Sequence, residues 1–194
     1  MRAAYAILGL AFIILFLGGY LLIQRGEGPE DVYRAPEIPM FTLTSPSFVE
    51  GGAIPMRYTC DGAGVRPPLS IDGAPAGTVS FALTMHDPDI PQSAKESLGV
   101  EAFDHWVLFN IPAETSMIRE EGELHGIEGK STRGEGYVGP CPPDGEHRYF
   151  FTVYALDTML PLDASATRAD VEAAIEGHVL KKAELMGVYT RTNQ

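Results

Sequence analysis

Tyr149-Phe150-Phe151-Thr152-Val153-Tyr154-Ala155-Leu156 decides the fold class. Its aromatic and β-branched residues suit a pleated, buried strand, where rings and branched side chains pack well. Working outward, Val79-Ser80-Phe81-Ala82-Leu83-Thr84-Met85 and Phe41-Thr42-Leu43-Thr44-Ser45 alternate with period two, and His105 to Ile111 is a mostly apolar run suited to another buried strand. Gly51-Gly52, Asp61-Gly62, Asp72-Gly73 and Asp144-Gly145 punctuate them as turns. Many short strands at this spacing predict a mainly β chain folded as a β-sandwich. Peripheral helix is expected near the end. There Thr167 precedes Asp170 as a partial cap, Val171, Ala174, Ile175 and Val179 recur at helical spacing, and Gly177 separates a second helical piece, Val179 to Met186. Tyr189 then falls in a tail packed back on the domain, and Glu120 to Gly136, rich in Gly and acids, reads as a mobile loop.

The chain has 194 residues and a formal net charge of −12, enough for one substantial core. The negative balance argues against wrapping nucleic acid, and Lys181-Lys182 and Lys130 to Arg133 are its densest cationic stretches. A small anion held at short range by backbone N–H groups and imidazoles is not excluded, because net charge acts through salt-screened distance. No charge occurs from Ala3 to Ile23, and the apolar run ends in Gln24-Arg25-Gly26-Glu27 without an Ala-x-Ala cleavage site. About 20 such residues span a bilayer. Residues 1–24 are therefore expected to be a membrane anchor, or an uncleaved signal sequence, and 25–40 a linker to a domain over 41–194. The charges flanking the run place that domain outside the membrane.

Asp87-Pro88-Asp89-Ile90-Pro91 stands at the carboxyl end of the Val79 to Met85 strand, so its carboxylates lie where a sheet gives way to a loop. On its own this segment reads equally as a turn. His105 opens the next buried strand and, taken alone, reads as a core or capping residue. His147-Arg148-Tyr149 changes the weighing, since strand alternation turns His147 and Tyr149 to one face and Arg148 to the other. Just before them, Gly139-Pro140-Cys141-Pro142-Pro143 is too stiff to collapse into a pocket, and the N–H groups of Gly139 and Cys141 are available to an anion. Cys60 and Cys141, the only cysteines, are either one disulfide of an exported domain or two buried thiols.

Two enzymatic readings compete. His105, His147 and Asp87 form a two-His, one-carboxylate set that suits a metal-dependent hydrolase, although no tight ligand spacing such as His-x-x-x-His is present. A serine hydrolase lacks its Gly-x-Ser-x-Gly elbow. Gly129-Lys130-Ser131 resembles the end of a phosphate loop, but Leu124 stands where that loop needs glycine.

These motifs, taken in order, resemble the phosphatidylethanolamine-binding protein family, in particular its prokaryotic Raf kinase inhibitor-like branch. They are Asp87-Pro88-Asp89-x-Pro91, His105-Trp106-Val107-Leu108-Phe109-Asn110-Ile111-Pro112, and Gly139-Pro140-Cys141-Pro142-Pro143-x-Gly145-x-His147-Arg148-Tyr149 with Tyr154-Ala155-Leu156-Asp157. Tyr58-Thr59-Cys60-Asp61-Gly62 and Gly177-His178-Val179-Leu180 belong to the same likeness. The resemblance implies an antiparallel sandwich with a small cavity at one end for phosphate, acetate or a phospholipid headgroup. Asp87, His105, His147 and Tyr149 would line it, with Asp89 shaping the loop, Pro142 in the wall and Pro91 a candidate for a cis peptide bond. It further implies binding without catalysis or cofactor, and a serine protease or carboxypeptidase as a possible inhibited partner. The apolar amino terminus is an addition to the family pattern.

Overall fold

The computed structural model describes residues 40–191, all within one compact unit. The expected anchor at 1–24 and most of the linker at 25–40 lie outside the described residues. Among the described residues no helix is long and apolar enough to cross a membrane.

Among the described residues ten strands, all paired antiparallel in their sheets, carry the fold: β1 (Thr42–Thr44), β2 (Leu69–Asp72), β3 (Ser80–Asp87), β4 (Phe103–Pro112), β5 (Met117–Ile118), β6 (Ile127–Glu128), β7 (Lys130–Ser131), β8 (Gly134–Glu135), β9 (Glu146–Leu156) and β10 (Val179–Thr190). A five-stranded sheet runs β10-β9-β3-β4-β6, a three-stranded sheet runs β1-β2-β5, and β7 and β8 form a separate ribbon. Among the described residues the α-helices are α1 (Gln92–Leu98) and α2 (Arg168–Ala174).

Period-two alternation sorts the side chains of the large sheet to its two faces. Phe81, Leu83 and Met85 of β3, Trp106 and Leu108 of β4, and Tyr149, Phe151 and Val153 of β9 join Leu43, Leu69, Ile71 and Ile118 of the small sheet in one cluster. Ala82, Val107, Phe109 and Leu156 face the other way and are covered by Val171 and Ile175 in and after α2. That helix starts on a reciprocal capping box, Thr167 with Asp170.

Two expected features are corrected. Val179 to Met186 is strand, not helix. β10 pairs with β9 from Val179 opposite Leu156 to Thr190 opposite Glu146, and Tyr189 lies within it, buried. The Glu120 to Gly136 stretch is not a structureless loop but supplies β6, β7 and β8.

β4 carries one extra residue at each of two places. Leu83 faces Leu108 but Phe81 faces Ile111, a bulge accommodated by Asn110, whose φ of 54° is a left-handed conformation that asparagine tolerates. Met85 faces Trp106 but His86 faces Asp104, which leaves His105 as the additional residue. This second bulge falls beside the end of β3, where the candidate residues gather.

Candidate functional site

The bulge at His105 sets the geometry of the site. In an unbroken strand His105 and Trp106 would point to opposite faces. With the extra residue both turn toward the inter-sheet face, while Asp104 faces α2 and pairs with Arg168. The His105 ring meets Tyr149 edge-on at 5.2 Å between centroids and Phe103 at 4.6 Å. Val138 holds it from the other side, its carbonyl 2.6 Å from Nδ1 and its amide bonded to the His105 carbonyl. A carbonyl can only accept, so Nδ1 carries the proton and Nε2 keeps its lone pair. Burial lowers the imidazole pKa to about 4, against the raising effect of the Val138 bond and with further lowering from Arg133. His105 is therefore neutral at pH 7.

Asp87 ends β3 and is buried. Its Oδ1 accepts the Asp89 amide at 2.8 Å, and its Oδ2 lies 2.7 Å from Nδ1 of His147. The His147 Nε2 lies 3.2 Å from Asp144 Oδ1. Two carboxylates facing one imidazole satisfy both nitrogens best when the ring is doubly protonated. Burial lowers the His147 pKa, but the hydrogen bonds and charges of Asp87 and Asp144 outweigh it and hold it above the ordinary value. Burial likewise raises the Asp87 carboxyl, over the opposing effects of His147 and the Asp89 amide. The pair together is close to electrically neutral, so a buried carboxylate here need not repel an anion.

A pocket of about 250 Å³ opens against these groups. Asp87 and His105 stand in its wall with Phe103, Arg133, Val138, Gly139, Cys141 and Pro143, and α1 with its approach adds the apolar side of Ile90, Pro91, Ala94 and Leu98. His147 and Tyr149, expected in the lining, are instead the layer behind it. His147 bonds Asp87 from the rear, and Tyr149, fully buried, packs against His105. The Tyr149 hydroxyl has no hydrogen-bond partner of good geometry. Its pKa is raised by burial and by the nearby Asp87 carboxylate.

Asp89 also stands outside the lining. Its carboxylate takes the Arg148 amide at 3.0 Å and the Arg148 guanidinium at 2.7 and 2.8 Å, fastening the loop after β3 to β9. Pro142 is buried between the lining residues Cys141 and Pro143. Pro91 follows a trans bond, contrary to the cis expectation, and precedes the first turn of α1. The metal-hydrolase alternative is not supported. Among the described residues no group of three His, Cys, Asp or Glu side chains is placed to hold an ion, and both His147 nitrogens face carboxylates that fix them.

The wall between 137 and 141 is fastened to the Tyr58–Cys60 segment. The Tyr137 hydroxyl donates to the Tyr58 carbonyl at 2.7 Å, and the Cys60 amide to Pro140 at 3.0 Å. Cys60 and Cys141 are joined in a disulfide with Cα atoms 5.4 Å apart. Gly139 is required by this approach, because a Cβ there would lie 2.8 Å from the Tyr58 carbonyl oxygen.

A model of the family described as phosphatidylethanolamine-binding protein matches residues 44–190. The chain belongs to the phosphatidylethanolamine-binding protein family. Among curated relatives, a UPF0098 protein of Methanothermobacter thermautotrophicus is 44% identical over 158 residues, covering 77% of this chain and 98% of its own. Among solved structures, a Chlamydia trachomatis protein described as a phosphatidylethanolamine-binding protein homologue superposes with a TM-score of 0.74 at 38% identity, covering 78% of this chain and 97% of that one. YbcL of E. coli, described as a new member of the mammalian family, gives a TM-score of 0.69 at 30% identity, covering 78% and 99%. The phosphatidylethanolamine-binding proteins thus supply the frame for the mainly β architecture seen here.

Several pocket residues escaped the sequence reading. Arg133 sits in the two-residue turn of the β7–β8 ribbon, and α1 lacks the amphipathic stripe that marks a longer helix. Asp144 carried only its turn signal with Gly145.

Proposed function

We propose that this pocket binds a small ligand bearing an anionic group together with a hydrogen-bond donor, such as monohydrogen phosphate or the phosphoethanolamine headgroup, without catalysing its conversion. The observation that carries this reading is the pairing of the His105 lone pair with an Arg133 guanidinium in one small cavity. Asp87 adds a further acceptor in the wall, its charge matched by His147. The apolar side contributed by α1 suits the carbon atoms next to a headgroup. Membership of the phosphatidylethanolamine-binding proteins supports the same ligand class. Binding rather than catalysis is favoured by the partners of the two imidazoles. His105 bonds a carbonyl and His147 bonds carboxylates, so neither is hydrogen-bonded to a hydroxyl or thiol that it could activate.

Titration calorimetry with inorganic phosphate and with phosphoethanolamine tests the proposal. Wild type is expected to bind, and His105→Ala to weaken affinity by about tenfold, the loss of one buried hydrogen bond. Unchanged affinity in a folded His105→Ala protein would place binding elsewhere.

A further inference from the structure

We infer that Arg133 is the residue that makes the pocket selective for negatively charged ligands; the inference rests on the anion-binding reading above and names the group that supplies its charge.

Most arginines among the described residues are already committed. Arg57, Arg148, Arg168 and Arg191 each pair with carboxylates, and Arg66 donates to the backbone carbonyls of Arg119 and Gly122. Arg133 makes no ion pair among the described residues, yet it lies in a pocket wall. The chain as a whole carries a formal −12, so an approaching anion meets a repulsive field unless a local charge offsets it. Within this pocket no other lining group supplies one. Asp87 is balanced by His147, His105 is neutral at pH 7, and the remaining walls are apolar side chains, glycine and a bonded cysteine.

The position of Arg133 is also built rather than incidental. Thr132 and Arg133 form the two-residue turn between Ser131 and Gly134. Thr132 is bonded twice to β4, its amide donating to the Asp104 carbonyl at 2.9 Å and its hydroxyl accepting the Asp104 amide at 2.8 Å. The neighbouring guanidinium is parked over the Phe103 ring, 5.6 Å from its centroid. An arginine stacked on an aromatic face keeps its planar donors free at the edge, where they can engage two oxygens of a phosphate or carboxylate together.

The experiment compares wild type, Arg133→Gln and Arg133→Lys for inorganic phosphate affinity by calorimetry as sodium chloride is raised, with circular dichroism to verify folding. Wild-type affinity is expected to fall with salt. The Gln variant should bind about tenfold more weakly with little salt dependence, and Lys should recover part of the affinity but not the bidentate share. Equal affinity and equal salt response in folded Arg133→Gln would overturn the role of Arg133 while leaving the pocket reading intact. Wild-type affinity that ignores salt would overturn it without any variant, and absence of phosphate binding by wild type would remove both together.

Discussion

At the scale of single residues, His105 concentrates the consequences of the site. Its folded pKa of about 4 lies below the ordinary 6.5, so between those values the unfolded chain binds a proton that the folded one refuses. Stability from this group is full above about pH 6.5 and is lost as pH falls toward 4, a difference of about 3 kcal/mol from 2.3RT per pH interval. The raised Asp87 and His147 groups act with the opposite sign, contributing most at low pH and less as pH rises through their folded values. Chemical denaturation at pH 7 and pH 4.5 should therefore show an acid loss in wild type that His105→Asn, which cannot titrate, largely removes. An identical acid loss in the Asn variant would show that His105 is not its source. His147 and Tyr149 were legible as a same-face pair because alternation along a strand is strict. Their depth behind the lining was not, because the sequence does not report which side of a ring meets solvent. Arg133 was legible only as the end of the Lys130 to Arg133 cationic stretch, because tertiary placement alone sets it beside Phe103.

Among the elements, the strands that build the site were the easiest to read and the ones that modify it the hardest. β3, β4 and β9 announce themselves through alternation and branched or aromatic side chains. β10 does not, since Leu180, Lys181, Lys182, Ala183, Glu184, Leu185 and Met186 are good helix formers; pairing with β9 along the whole strand overrides that preference. The bulge at His105 leaves no trace in hydrophobic periodicity either, although it decides where the imidazole points. The segment 139–143 is legible as rigid from its prolines, but the state of its cysteine is not, because sequence spacing does not report that Cys60 lies against it. Cys60 is exposed and Cys141 partly so. The loop their disulfide closes spans 81 residues of sequence separation, for which chain entropy gives about 4 to 5 kcal/mol. Paired Cys60→Ser and Cys141→Ser replacement should lower the urea unfolding free energy by several kcal/mol, whereas a loss below about 1 kcal/mol would mean the hydrogen bonds alone secure this wall.

For the whole molecule, the large sheet is the platform and the pocket is a consequence of where three of its strands end or break register. β3 stops at Asp87, β4 bulges at His105, and β9 begins just before His147, so residues far apart in sequence meet at one edge of the core. Loops and the β7–β8 ribbon then close the space with Arg133, Val138 and the disulfide-bound wall. On the proposed reading, that arrangement gives an acidic protein a small region suited to an anion. Crystals of the protein soaked in phosphate test this most directly. The account predicts phosphate density within reach of Arg133 and the His105 Nε2, in the cavity bounded by Asp87 and Phe103. Well-ordered phosphate bound elsewhere, with this cavity unchanged and empty, would contradict it.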